Sequence, residues 1–496
     1  MKDGLIISKI ADGASEGGTA QTVGAPIWWP RGPDANADLE PDRLRRAIAG
    51  TVLARPWFDR ASMLALRHMM FPASRLWAAA QVAEGDIERF EASVPIGSIR
   101  ANPQKVTRLL AEIAEARVAA EAMNTEWERA FFGAKDYGPL HLRAVEAARL
   151  NLSDASNQTR WRLRTTIRQG VPRASMQIQP PSAINQVYGD GIAAFASLSA
   201  PPAMMPEVGV SRSFPTRHGN DFWLRFQSPS ARLGDTVHAR VHEPRDAENA
   251  PTIIFGHGIC VEFDHWKGLL DECLTLVRRG FRVIRPEAPW HGRRKPPGCF
   301  GGERTIAAFP VGLLDSFAGS LQEWAVLADW ARRRSTGPLA FGGSSLGAMT
   351  AQLAASRSAA WPLHLRPDAL FLVTHTGDMA AAVLDGALST MWAPREVAER
   401  AGWTTELARH YLSLVNPVDP MPMPPHRIVS ILGRRDRVLP FESGRRLVQH
   451  WKVPASNSFI WDRGHFSVPT TLIRTTAPLD RLAQVVANIR PAARNS

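Results

Sequence analysis

The chain has 496 residues, 45% apolar and 21% charged, which is ordinary for a globular protein and long enough for two domains. No apolar run approaches the roughly 18 residues of a membrane helix, and residues 5–7 form too short a run for a secretory leader, so neither a span nor export is expected. The net charge is +12, but 52 of the 59 basic residues are arginines scattered along the chain; a nucleic-acid partner, which needs clustered charge, is not expected.

Cys260, Cys273 and Cys299 are an odd number within one half of the chain, which fits a reducing, cytoplasmic compartment rather than a disulfide framework. No CxxC pair or HExxH spacing occurs, so no metal or other cofactor is expected.

Residues 1–40, rich in Gly, Ala, Asp and Pro, read as a loosely ordered lead-in that Trp28 and Trp29 could pin. Residues 41–205 read as a helical domain and its linker. Within it, 104–132 place Val106, Leu110, Ile113, Ala120, Met123, Trp127 and Phe131 on one stripe at helical spacing. Packing inside the domain suits that stripe best, with a substrate lid or the face of a homo-oligomer as the other readings. Prolines break the pattern over 171–208.

From 206 to 496 the texture changes. Eight short β-rich runs begin with "FWLRFQS" and "TVHARVHEP", continue through "PTIIFGHG", "FRVIRPEAP", "PLAFGGS", "ALFLVTHTG" and "RIVSILG", and end in "SFIWDRGH". Helical segments such as 313–334 and 348–357 lie between the later ones. This alternation predicts an α/β fold with a doubly wound, mostly parallel eight-stranded sheet, the first two strands forming an antiparallel edge.

"FGGSSLGAMT" (341–350) follows an apolar strand and opens a helix. A serine nucleophile must stand clear of the backbone on a sharp strand-to-helix turn, which demands small residues two before and two after it. Ser344 has Leu346 at the second of these places, whereas Ser345 has Gly343 and Gly347, so Ser345 is the expected nucleophile. Function gathers at the carboxyl ends of parallel strands. Beyond two later strands stand Asp436 in "GRRDRVLP" and His465 in "DRGHFSV", the expected acid and base. Asp378 and Asp462 are rivals for the acid. The amides of Leu346 and Ile259 are the expected oxyanion donors. His257 reads as a structural group beneath the site.

Ser345, Asp436 and His465 in this order, with the "HG" at 257–258, resemble the α/β-hydrolase superfamily over about 210–490. "FDHW", "PEAPWHGRRKP", "TGPLAFGGSSLGAMTAQLA" and "RDRVLP" with the final "GH" resemble its sparsely characterised α/β-hydrolase-domain-containing branch. Ala348 stands where many members carry glycine. The N-terminal helical region lies outside the common core, and similar extensions precede this fold in several serine esterases and, with a cysteine nucleophile, in polyhydroxyalkanoate synthases.

Residues 379–417, between two strands, read as a helical cap insertion. The expected pocket residues are Trp266, Trp290, His291 and Trp392, with Met391 beside them, and Arg293, Arg294 and Lys295 as candidates to hold an anionic group. The expected activity is hydrolysis of a small-molecule carboxylic ester through an acyl-enzyme. An acyltransferase with the same triad and a non-catalytic binding protein of the same fold are the alternatives.

Overall fold

The computed structural model describes residues 54–94, 102–260, 272–392, 394–417, 420–472 and 474–489. Its strands are β1 (Gly209–Val210), β2 (Phe214–Thr216), β3 (Gly219–Gln227), β4 (Thr236–Pro244), β5 (Thr252–Gly256), β6 (Arg282–Pro286), β7 (Leu339–Ser344), β8 (Ala369–Val373), β9 (Ile428–Gly433) and β10 (Ser458–Trp461). They form one sheet in the order β1-β3-β4-β6-β5-β7-β8-β9-β10, with β2 also on β3. The eight expected strands are β3 to β10. The count is ten because β1 and β2, only two and three residues long, pair antiparallel with β3 and are too short to show a period in sequence.

From β6 to β10 every neighbouring pair is parallel, while β3, β4 and β6 pair antiparallel. Parallel strands need both faces covered, and β8 is buried along its whole length. Leu370 and Leu372 join Ile254 and Phe341 on one face, under helices Val311–Arg334 and Leu346–Arg357. Phe371 and Val373 join Ile253, Phe255 and Ile431 on the other, under helices Glu272–Val277 and Ala477–Ala487. Alternation with a period of two sends successive side chains to opposite cores.

Helix Pro103–Phe132 is 30 residues long and begins with proline at its first position, where the absent N–H costs nothing. Its stripe is covered in two parts. Val106, Leu110 and Ile113 pack with Leu76 and Trp77 of helix Phe71–Ala83, whereas Trp127 and Phe131 pack with Phe214 and Trp223 of the sheet edge. The arginine planes of Arg149 and Arg293 lie over Trp127 at 5.1 and 4.4 Å, a favourable cation–π arrangement. Within the proline-rich 171–208 stretch, helices Pro181–Tyr188 and Ile192–Leu198 bury Ile184, Tyr188 and Phe195 in the main core. No helix among the described residues is long and apolar enough to cross a membrane.

Candidate active site

β7 enters helix Leu346–Arg357 through Ser345, whose φ of 55° and ψ of −118° lie outside the ordinary regions for a side-chain-bearing residue. Such a conformation costs about 1–3 kcal/mol and persists only where the surroundings enforce it. Glycines enforce it here. A Cβ on Gly343 would come within 2.4 Å of the Gly347 carbonyl carbon, and one on Gly347 within 2.0 Å of the Gly256 oxygen. β5, β7 and the helix therefore meet backbone to backbone, and the turn is held by Ser345 N–H donating to Val373 O at 2.9 Å. Ala348, where a glycine is commoner, is fully buried in the helix that follows.

His465 Nε2 lies 3.0 Å from Ser345 Oγ, and His465 Nδ1 lies 2.8 Å from Asp436 Oδ2. The other Asp436 oxygen accepts the backbone N–H groups of Val438 and Leu439, each at 2.9 Å. A carboxylate with acceptor duties on both oxygens requires the proton on His465 Nδ1, leaving Nε2 to accept the Ser345 hydroxyl proton. Asp436 and His465 are both buried. Asp378 instead caps helix Met379–Leu384 by accepting Ala380 and Ala381 N–H, and Asp462 is exposed and grips Arg435 at 2.6 and 2.7 Å. Neither approaches His465 as Asp436 does.

The turn after β5 brings Gly258 close to Ser345: a Cβ there would sit 3.8 Å from the serine Cβ. Two histidines brace this turn. His257 donates from Nδ1 to Gly258 O at 2.7 Å and accepts Ala288 N–H on Nε2 at 3.1 Å. His291 uses Nδ1 towards Pro289 O at 2.8 Å and accepts Cys260 N–H on Nε2 at 3.2 Å. Burial, reinforced by neighbouring His291 and Arg285, pushes the His257 pKa well below its usual value, so its ring stays neutral and keeps both bonds.

A cavity of about 110 Å³ opens on Ser345. Ile259, Leu346, Met349, Met379, Trp392 and Leu439 are among its largely apolar walls. Trp392 is among these lining residues, and Met391 packs beside it in a cluster with Phe71 and Phe300. Trp290 and His291 do not line this cavity. His291 is fully buried, bracing the turn, and Trp290 is buried with Arg304 at 5.0 Å from its ring. Both belong to the segment after β6, which braces the turn after β5. Trp266 lies outside the described residues.

The basic run after His291 is also turned away from Ser345. Arg294 is buried against Glu323 and Asp235. Arg293 pairs with Glu287, and Lys295 lies over Trp77 at 4.0 Å. Arg293 and Lys295 border a separate cleft of about 470 Å³ beside helices Pro103–Phe132 and Pro139–Thr166. Phe309, Leu313 and Phe317 also line the Ser345 cavity and were not singled out above. Their spacing of four, running from Phe309 into the first turns of helix Val311–Arg334, was the available signal. Among the described residues no three His, Cys, Asp or Glu side chains converge as a metal site requires.

Residues 266–400 match the family model described as alpha/beta hydrolase domain containing 18. The chain has the α/β-hydrolase fold. No curated protein matches it. Among solved structures it is similar to a cold-adapted esterase from an Arctic intertidal metagenomic library, at 16% identity over 55% of this chain and 97% of that one, TM-score 0.37. It is also similar to acetyl xylan esterase 1 from a Thermoanaerobacterium species, at 15% identity over 59% and 91% respectively, TM-score 0.40. S-formylglutathione hydrolase from Agrobacterium tumefaciens is similar at 14% identity over 56% and 99%, TM-score 0.36. Between β8 and β9 the chain carries helices Met379–Leu384, Pro394–Arg400 and Thr405–Ser413, and the first part of that segment supplies cavity walls.

Proposed function

We propose that this protein is a serine hydrolase that cleaves a carboxylic ester carrying a short apolar acyl group. The reading rests on the unbroken chain of hydrogen bonds from Asp436 through His465 to Ser345. Ser345 Oγ attacks the carbonyl carbon while its proton passes to His465 Nε2, and the imidazolium is stabilised by Asp436. The oxyanion is received by the N–H groups of Ile259 and Leu346, two residues that border the Ser345 cavity. Collapse expels the alcohol, which takes the proton back from His465. Water then attacks the acyl-enzyme by the same route in reverse.

The acyl side is argued from the cavity. At about 110 Å³ it is smaller than the roughly 150 Å³ cavity that accommodates benzene, and among the described residues its apolar walls include no charged side chain. A short uncharged acyl group fits, whereas a carboxylate-bearing one would be left without a partner.

The test is labelling with a fluorophosphonate, with the adduct located by mass spectrometry in wild type, Ser345→Ala and Ser344→Ala. An adduct on Ser345, retained in Ser344→Ala and lost in Ser345→Ala, is expected, followed by hydrolysis of p-nitrophenyl esters that declines as the acyl chain lengthens. A folded wild-type protein without any adduct would overturn the reading in favour of a non-catalytic binding protein.

A further inference from the structure

His465 sits in a short loop between β10 and helix Ser467–Thr471, and the position of its ring depends on what holds that loop. The holding group comes from the far end of the chain. Asp59, in helix Pro56–Ala65, accepts the backbone N–H of Phe466 at 2.7 Å and of Ser467 at 3.2 Å on one carboxylate oxygen, and the Ser467 hydroxyl on the other. Ser467 Oγ in turn accepts Gly464 N–H at 3.0 Å. Both neighbours of His465 are thus tied to one carboxylate, Phe466 directly and Gly464 through a fully buried serine. The approach is close enough to exclude a side chain at 464, where a Cβ would lie 2.4 to 2.7 Å from the carboxyl atoms of Asp59.

We infer that Asp59 is a positioning residue for His465, so that the helical N-terminal segment is a working part of the site. This rests on the reading of His465 as the base for Ser345. Charge-assisted hydrogen bonds to backbone N–H groups are among the stronger ones available. Without the carboxylate, the Phe466 and Ser467 amides and the Ser467 hydroxyl lose their acceptor together. The loop must then find another arrangement, and the imidazole moves with it. A misplacement of about 1 Å in a reacting group costs up to about a hundredfold in rate.

The experiment compares wild type, Asp59→Ala, Asp59→Asn and Ser467→Ala, using the rate of fluorophosphonate labelling at Ser345, the kcat and KM for a short-chain p-nitrophenyl ester, and thermal melting of each protein. Asp59→Ala, while folded, is expected to label Ser345 at least about tenfold more slowly and to lose kcat by the same factor with KM unchanged. Asp59→Asn keeps an oxygen for the two amides and is expected to stay within about threefold of wild type. A merely structural role would move melting without this split or this rescue.

Labelling of folded Asp59→Ala at the wild-type rate would overturn the inference while leaving the serine-hydrolase reading intact. Absence of labelling in wild type would overturn both. Should Asp59→Ala not fold, Ser467→Ala decides, because it cuts only the relay to Gly464: slower labelling with an unchanged KM supports the inference, and a wild-type rate overturns it.

Discussion

Asp436 divides its work between its two oxygens, and that division predicts how its replacement behaves. One oxygen holds the Val438 and Leu439 amides, and the other meets His465. In Asp436→Asn the side-chain oxygen can continue to serve the amides, so the turn survives. The amide nitrogen then faces His465 Nδ1 and favours the tautomer with the proton on Nε2, which cannot accept from Ser345. The expected outcome is a loss of kcat of about 10³–10⁴-fold with a change in unfolding free energy below about 1 kcal/mol, checked by ester kinetics and urea unfolding. Near-normal turnover in the folded variant would remove Asp436 from the proposed triad. Spacing alone singled out Ser345, since only there do the glycines fall two residues to either side. His465 and Asp436 could be picked from positions beyond strand ends, but the capping of a helix by Asp378 and the pairing of Asp462 with Arg435 are facts of side-chain direction, which strand pattern does not carry.

At the level of elements, the turn between β7 and its helix is the stiffest feature of the site. Gly347→Ala would press a methyl group into the Gly256 carbonyl, backbone against backbone, with no flexible side chain to yield. A destabilisation of about 3 kcal/mol is expected, read as a lower urea midpoint at unchanged slope. The wall opposite is softer. Trp392 belongs to the segment between β8 and β9, lines the cavity and packs on Phe71 with ring centroids 4.7 Å apart. Trp392→Leu should enlarge the cavity and raise kcat/KM for longer acyl chains relative to short ones by about tenfold; an unchanged chain-length profile would show that this wall does not limit the acyl group. The helices between β8 and β9 were legible in sequence because helical periodicity interrupts two strands. The partnership of Trp392 with Phe71 was not, since the two rings are more than three hundred residues apart in the chain.

Across the whole molecule, the arginine excess has a structural use. Arg75 with Glu303, Arg149 with Glu146, Arg240 with Asp221, Arg282 with Glu243 and Arg294 with Glu323 are buried pairs, and the planar, multiply donating guanidinium suits such positions better than lysine. The first pair joins the helical N-terminal region to the sheet domain. Removing residues 1–205 would take away both the Arg75 guanidinium and the Ser175 amide that Glu303 meets, and would bare the faces that Ile184, Tyr188, Phe195 and Phe71 cover. Residues 206–496 alone are therefore expected to aggregate on expression and to show no esterase activity. A well-dispersed, active fragment would refute that dependence.

The buried histidines make stability depend on pH. Burial lowers the His375 pKa from its usual 6.5 to about 3. Its ring stays neutral in the folded state while the unfolded chain takes a proton below pH 6.5. This contribution is fully present above pH 6.5 and is lost as pH falls towards 3, by up to about 1.4 kcal/mol per pH unit. His375→Gln should flatten the decline in unfolding free energy between those limits. An unchanged slope in urea titrations at a series of pH values would rule His375 out as a cause.

The sequence by itself determined the local features: which serine can occupy a glycine-flanked turn, where the period changes from helix to strand, and that an aspartate and a histidine follow beyond later strands. These properties depend on residues within a few positions of one another, and steric and periodic rules act at that range. Only the tertiary structure decided which aromatic groups face Ser345, that His291 braces a turn instead of meeting a ligand, and that Asp59 reaches the loop of His465. Those outcomes depend on the packing of distant segments, where the direction of each side chain is set by neighbours that no local pattern announces.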